Sequence, residues 1–446
     1  LPGKQVVGNL MGGAWRCWAG GAAEGDHQRA PGWGVIILLM RTICRCVVAI
    51  MLAVGWCAGV ESVGEWPQFR GPTRDGISTE TAWSHAWPPE GPKRMWGAKL
   101  GNGFSSLSIS GGRLYSMGNA EDQDSVWCLD ALTGAVIWRH RYACKLDPKY
   151  YPGGTSSTPT VFAGAVYSLS KAGQLFCLDA TTGAVRWAKN ITADFGIKPP
   201  TWGFASSALI RDHLLLLNVG KAGVALDRDT GAVVWNSGDG ACGYASPVPY
   251  TLAGKNYLAL FGGDAMRGVD LESGVIRWTY GWKTEFGENS PDPIFTDGKL
   301  FITSGHGAGS ALVDLGTGGD PTLLWHNSDL GNHIAASVLT RGHFYGFTGR
   351  VNHDDGGFGC VDAATGVTNW YIPNMRGSLI LAGDRLLVLT LQSELVVVAV
   401  DPAAFRELAR AQALGGVSWT APVLLQNRVY VRNGKGEMAC FDVSPP

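Results

Sequence analysis

The sequence predicts an all-β fold: an eight-bladed β-propeller of four-stranded antiparallel blades, closed by an N-terminal strand. Three observations carry this. A ten-residue unit, Leu178-Asp179-Ala180-Thr181-Thr182-Gly183-Ala184-Val185-Arg186-Trp187, returns as Leu129 to Trp138, Leu226 to Trp235, Val269 to Trp278 and Val361 to Trp370, with a looser copy from Val313 to Trp325 and degenerate copies around Asp401 and Asp442. The eight aspartates of these copies are 49, 48, 43, 44, 48, 39 and 41 residues apart, a period of propeller blades or solenoid units. The two ends have matching defects: Met95-Trp96-Gly97-Ala98-Lys99-Leu100 is a tryptophan strand with no Asp turn before it, and the last repeat stops after Phe441-Asp442 without its tryptophan strand. Exchange of that strand would close the ring and leave no open sheet edge.

In chain order, residues 1–39 lack the repeat and read as a leader or an over-extended start. Residues 40–60 read as a secretory signal peptide, with Arg41 and Arg45 ahead of the apolar run Val47 to Ala58 and small residues after it. That run is shorter than the roughly 20 residues a spanning helix needs, so no membrane span is expected in the mature chain. Residues 61–94 form an extended arm, where the Pro and Gly of Trp66-Pro67-Gln68-Phe69-Arg70-Gly71-Pro72 prevent a helix. The arm's aromatic residues are expected against an outer face. The propeller then occupies 95–446.

Within each repeat, an apolar strand ends at Asp, whose carboxylate can accept from backbone N–H groups just downstream; Gly follows where a positive φ is needed. The chain reverses into a strand bearing Trp, whose large apolar area is buried only if units stand side by side. Each unit opens on small residues, as in Phe104-Ser105-Ser106, Thr155-Ser156-Ser157-Thr158-Pro159, Ala205-Ser206-Ser207 and Ala245-Ser246-Pro247, which suits strands crowded around a central axis. Four strands per blade follow: small-residue, Leu/Val-Tyr, Asp-ending and tryptophan strands.

Composition excludes some functions. With 63 glycines, 18 tryptophans and 16% charged residues, the chain is turn-rich and globular. A net charge of −1 and the lack of basic runs exclude nucleic acid as a partner. Cys128, Cys177, Cys360 and Cys440 each stand two residues before a repeat aspartate, where other repeats have Ala225, Gly268, Leu312 and Ala399; they read as buried hydrophobes rather than bridges. Cys144 and Cys242 remain uncommitted. Five of the nine histidines, at 306, 326, 333, 343 and 353, fall in one window, but their spacing fits no zinc pattern, and they read as solvated turn residues.

The repeats, most fully Leu178 to Trp187 and Leu129 to Trp138, resemble the tryptophan-docking motif of the quinoprotein, or PQQ-like repeat, propellers. The likeness covers roughly 95–446, and the opening Trp66 to Pro72 is similar to the start of secreted bacterial PQQ-like proteins. Phe405 and Ala409 depart from it, standing where the motif has Gly and Trp. The resemblance implies one of two classes. Quinoprotein alcohol and sugar dehydrogenases hold PQQ with a metal, commonly Ca2+, through carboxylate and amide ligands, and use an aspartate base; many have adjacent cysteines or haem, and this chain has neither adjacent cysteines nor CxxCH. The other class is similar to the outer-membrane assembly propeller lipoprotein, which offers its loops to protein partners. Fold alone does not choose between them, but the missing features favour a secreted or periplasmic, monomeric binding or scaffold protein, whose partners are envelope proteins or a small ligand.

Loops entering the innermost strands surround the channel mouth and are the place for a ligand. They supply Trp202, Phe204, Tyr244, Glu288, Asn289, His333, Arg376 and Trp419 as candidates. Glu288 with Asn289 is the best carboxylate-amide pair for a hard cation, and Trp202 or Trp419 could floor a flat ring.

Overall fold

The computed structural model describes residues 64–149, 151–351 and 353–446; the leader expected over 1–39 and the signal peptide expected over 40–60 lie outside the described residues. Eight antiparallel sheets are formed in chain order. Their innermost strands are Ser108–Ser110, Thr160–Phe162, Leu209–Arg211, Val248–Leu252, Ile294–Thr296, Val338–Thr340, Gly377–Ala382 and Val423–Leu425, for blades 1 to 8. The outermost strand of blade 8 is the N-terminal Lys93–Lys99, paired antiparallel with Glu437–Asp442 so that Trp96 lies opposite Cys440. The ring is closed by the strand exchange that the matching defects predict. Blade 7 has a fifth strand, Ile77–Ser78, running parallel to its innermost strand.

The repeat motif works as a turn and a socket together. In blade 1, Asp130 Oδ1 accepts from the Leu132 and Thr133 amides at 3.0 and 2.8 Å and from Thr133 Oγ1 at 2.8 Å. Gly134 has φ +72°, and a Cβ on it would lie 2.6 Å from the Trp96 ring. The glycine is thus required twice, for its backbone and for the indole that lies on it. Trp96 Nε1 donates to Ala131 O at 3.1 Å. Trp138, Trp187, Trp235 and Trp325 dock in the same way on Gly183, Gly231, Gly274 and Gly366 of the following blades. Each interface therefore buries an indole while satisfying its N–H.

Three interfaces depart from this rule. The blade 5 turn is longer, and Trp278 of blade 4 folds back, donating to Tyr250 Oη at 3.0 Å and lying over Gly268 of its own sheet. In blade 7, Phe405 replaces the glycine; Trp370 still donates to Asp401 O at 2.9 Å, and its ring meets Phe405 at 5.7 Å with planes 68° apart. Ala409 leaves blade 7 with no indole for blade 8, and the arm takes that place. Ser84 N donates to Val443 O at 2.7 Å, and Trp83 and Trp87 join the core cluster that contains Val443 and Ala409.

The small residues that open each blade also bond around the axis. The amide of Ser106 donates to Thr158 Oγ1, that of Thr158 to Ser207 Oγ, that of Ser207 to Ser246 Oγ and that of Ser246 to Asp292 Oδ1, at 2.7–3.1 Å. Each blade from 1 to 4 is thus tied to its successor by a buried amide that would otherwise lack a partner.

The arm corrects one expectation. Only its end, Trp83 and Trp87, packs away from the axis; the stretch from Trp66 to Ser78 crosses the innermost strands. Trp66 exchanges backbone bonds with Ile109 of blade 1, Pro67 O accepts from Val161 of blade 2, and Gly76 O accepts from Leu381 of blade 7. Arg70 reaches Ser337 O of blade 6 at 2.8 Å, and Arg74 reaches Ala208 O of blade 3 at 3.3 Å. Extended backbone brings its own unpaired donors and acceptors, and the free edges of the innermost strands satisfy some of them.

All six cysteines of the described residues are buried and free. Burial pushes the Cys128, Cys177 and Cys360 thiols up, to about 11, which keeps them protonated and unreactive. Among the described residues no helix is long and apolar enough to cross a membrane.

Candidate functional site

The arm floors a cavity of about 820 Å³ whose walls are the loops at the channel mouth. Trp66, Phe69, Phe104, Tyr151, Trp202, Tyr244, Phe286 and Trp419 supply its aromatic surface. Two groups of rings organise it. Trp419 stacks on Phe104 with centroids 3.8 Å apart and planes at 14°, and Tyr151 lies 6.0 Å from Trp419. In the second group Trp202 has Tyr244 and Phe286 each at 6.0 Å. Backbone bonds hold these rings: Trp202 Nε1 donates to Lys149 O at 3.1 Å, and Tyr151 Oη to Trp202 O at 3.4 Å. Burial pushes the Tyr244 hydroxyl well above its ordinary value, so it stays protonated.

Of the residues expected at the mouth, Trp202, Tyr244, Glu288, His333 and Trp419 line this cavity. Three do not. Phe204 turns into the core between blades 2 and 3, beside Ile191, Ile197 and Val219. Arg376 borders a small neighbouring recess, donating to Arg350 O and to Asp354 Oδ1, each at 3.0 Å. Asn289 is fully buried: its amide donates to Gly262 O at 2.8 Å and its Oδ1 accepts from Ser304 Oγ at 2.8 Å. It pins a loop, and its donors and acceptor are used up. Glu288 and Asn289 are neighbours in sequence but point opposite ways, as alternate residues of extended chain do.

The actual companions of Glu288 are two histidines. His306 Nε2 lies 2.6 Å from Glu288 Oε2, and His333 Nε2 lies 3.1 Å from the same oxygen. The imidazole planes are at 89° with centroids 4.9 Å apart. These are not solvated turn residues, since their side chains are only 9% and 7% exposed. Burial pushes the Glu288 carboxyl up, but the adjacent imidazoles outweigh it and the net shift is downward; the group is a carboxylate at neutral pH. Spacing along the chain concealed this cluster. The blade register would have shown it, because loops entering the innermost strands (Glu288, His333) and the turn between the two middle strands (His306) emerge on the same face of a propeller.

A quinone held with calcium needs carboxylate and amide oxygens around the ion. Glu288 is the only carboxylate among the described residues that line the cavity. The Asn289 amide is turned away from it, and the groups beside Glu288 are imidazole nitrogens, which suit transition metals rather than calcium. No aspartate is among the described residues that line the cavity. The residues present therefore do not fit a quinone and calcium pair.

No curated protein matches this chain. Among solved structures, BamB from Moraxella catarrhalis is similar at TM-score 0.58 and 14% identity, covering 79% of this chain and 99% of that one. The quinohemoprotein alcohol dehydrogenase from Comamonas testosteroni is similar at TM-score 0.59 and 14% identity, covering 87% and 82%. The quinohemoprotein alcohol dehydrogenase ADHIIG from Pseudomonas putida HK5 follows at TM-score 0.62 and 14% identity, covering 86% and 81%. At such identities the likeness is one of fold, and the fold is common to BamB and to alcohol dehydrogenases. Residues 122–372, more than half of the chain, match the family described as outer membrane protein assembly factor BamB, and with its tryptophan-docked repeats the chain belongs to this family of PQQ-like propellers.

Proposed function

We propose that this protein is a secreted or periplasmic binding protein of the bacterial envelope, monomeric and without chemistry of its own, which holds a small ligand in the channel-mouth cavity. The observation that carries the reading is the cavity itself: about 820 Å³, floored by the arm and walled by two groups of aromatic rings. Its volume falls within the range of small-molecule sites, and its lining is of the kind that removes the flat face of a ligand from water. Membership of a family described as an outer membrane protein assembly factor supports the envelope placement; an export leader over 40–60 would deliver the chain there.

The rival is a PQQ-dependent dehydrogenase that oxidises alcohols, polyols or sugars, and the donor set around Glu288 speaks against it. One experiment separates the two. Purified protein is titrated with planar aromatic acids, sugars, and PQQ with Ca2+, following tryptophan fluorescence, and then assayed with an artificial electron acceptor. Saturable quenching by a ligand, weakened at least tenfold in Trp202→Ala or Trp419→Ala and without turnover, is the expected result. Turnover with PQQ and Ca2+ would overturn the reading, as would quenching unchanged in both variants. Recovery of protein from its native host with residues 1–59 still attached would remove the export step.

A further inference from the structure

The structure assigns a transition-metal site, of the Zn2+ class, to Glu288, His306 and His333 in the wall of the cavity. The inference stands apart from the ligand reading, since it rests on the donor atoms alone. One ligand atom from each of the three side chains lies within 4.8 Å of the other two. Two imidazole nitrogens and one carboxylate oxygen form a donor set found at catalytic and open zinc sites, where a further position is left for water or a ligand. All three residues face the cavity, so that position would open onto it.

A further observation points to an ion. His333 Nε2 and His306 Nδ1 are buried and have no hydrogen-bond partner, although His333 Nε2 is only 3.1 Å from the carboxylate. Buried polar nitrogens are normally satisfied, and here the unsatisfied Nε2 is directed into the cluster. His306 stands in a turn at φ +55° between Gly305 and Gly307. Gly305 permits the approach, since a Cβ on it would lie 3.0 Å from Cα and Cβ of His333. Asn289, fixed by Gly262 O and Ser304 Oγ, anchors the neighbouring Glu288 from behind.

The donor set also selects the ion. Two imidazole nitrogens beside one carboxylate oxygen suit transition metals, whereas Ca2+ and Mg2+ favour oxygen ligands throughout.

The test is titration of chelator-treated full chain with Zn2+ by calorimetry, and with Co2+ by visible absorption. One ion per chain is expected, with no competition from excess Ca2+ or Mg2+. The double variant His306→Gln/His333→Gln should lose more affinity than the roughly 10–100-fold that outer-shell substitutions cost, while His326→Gln, away from the cluster, binds as the wild type does. Absence of Zn2+ binding by the folded wild type, or unchanged binding by a double variant with a wild-type melting curve, would overturn the assignment. Should the double variant not fold, X-ray absorption at the zinc edge of the wild type decides: imidazole scattering from two histidines supports the site, and a shell of oxygen alone refutes it. All titrations are made without organic ligand, so their failure would leave the ligand reading as it stands.

Discussion

Arg432 of blade 8 donates through Nη1 to Ser116 Oγ of blade 1 at 2.7 Å, across the seam where the ring closes. The same guanidinium donates to Ser105 O at 2.9 Å, to Gly101 O at 3.1 Å and to Met117 O. It is fully buried, and burial pulls its pKa down to about 9. Carbonyl and hydroxyl oxygens, rather than a carboxylate, hold the charge. Arg432→Met should therefore destabilise the protein by about 3 kcal/mol, because several buried acceptors lose their donor together. Urea melts measure this; a loss under about 1 kcal/mol, the worth of one ordinary hydrogen bond, would show that water replaces the guanidinium.

The turn aspartates predict a pH dependence. Asp130, Asp227, Asp270, Asp362 and Asp442 are held below the usual carboxylate range, first by the hydroxyls of Thr133, Thr230, Ser273, Thr365 and Ser444. Asp179 is lowered chiefly by Arg186. A depressed folded pKa means that the unfolded chain binds more protons, so this stability is present above the unfolded value of about 3.9 and is lost as pH falls through the folded values. Denaturant midpoints should fall from pH 7 to pH 3. In Asp130→Asn the amide oxygen can still accept the turn bonds but does not titrate, and the fall should be smaller; an identical fall in the variant would contradict the account.

Gly268 offers a test of the repeat itself. Four blades carry Cys at this position, and a repeat consensus would recommend Gly268→Cys. A Cβ at 268, however, would lie 2.1 Å from the Trp278 ring, which folds back over its own sheet. The substitution should destabilise by about 1–3 kcal/mol, the usual effect of overpacking. Ala225→Cys, in a blade whose tryptophan docks outward on Gly274, serves as the control and should have less effect. Equal melting of the two variants would mean that Trp278 can readily rotate away.

These contrasts explain what the sequence could reveal. The docking unit is local: Asp130, Thr133 and Gly134 lie within one turn, and Trp138 follows on the next strand, so repetition displayed the blades, their number and the closing strand directly. The site has no such economy. Glu288, His306 and His333 come from three loops that only the ring brings together, and the opposite facing of Glu288 and Asn289 is decided by how Gly262 and Ser304 receive the amide. Phe204 misled for a related reason, since it follows Trp202 at the mouth but turns into the core. The arm was legible as extended chain and not as a floor, because Arg70 and Arg74 find their partners in blades 6 and 3.

Those two arginines carry the last prediction. Arg70 and Arg74 lie buried at the axis with Asp292 as the carboxylate whose charge both feel. Burial pushes the Asp292 carboxyl up against the pull of Arg74 and Arg70, while its Oδ1 accepts from Ser246 N at 2.7 Å in the axial chain of bonds. Arg74→Ala should thus act on the carboxylate more than on the arm, leaving a buried charge with one counter-ion fewer, at a loss of about 3–5 kcal/mol. Asp292→Asn keeps an oxygen for Ser246 and removes the charge. In the Arg74→Ala/Asp292→Asn double variant much of the stability should return, giving a coupling energy of at least about 1 kcal/mol in a double-mutant cycle. Additive losses would mean that the arginine acts only through its bonds to Gln68 and Ala208, and that the charge at the centre of the ring is balanced without it.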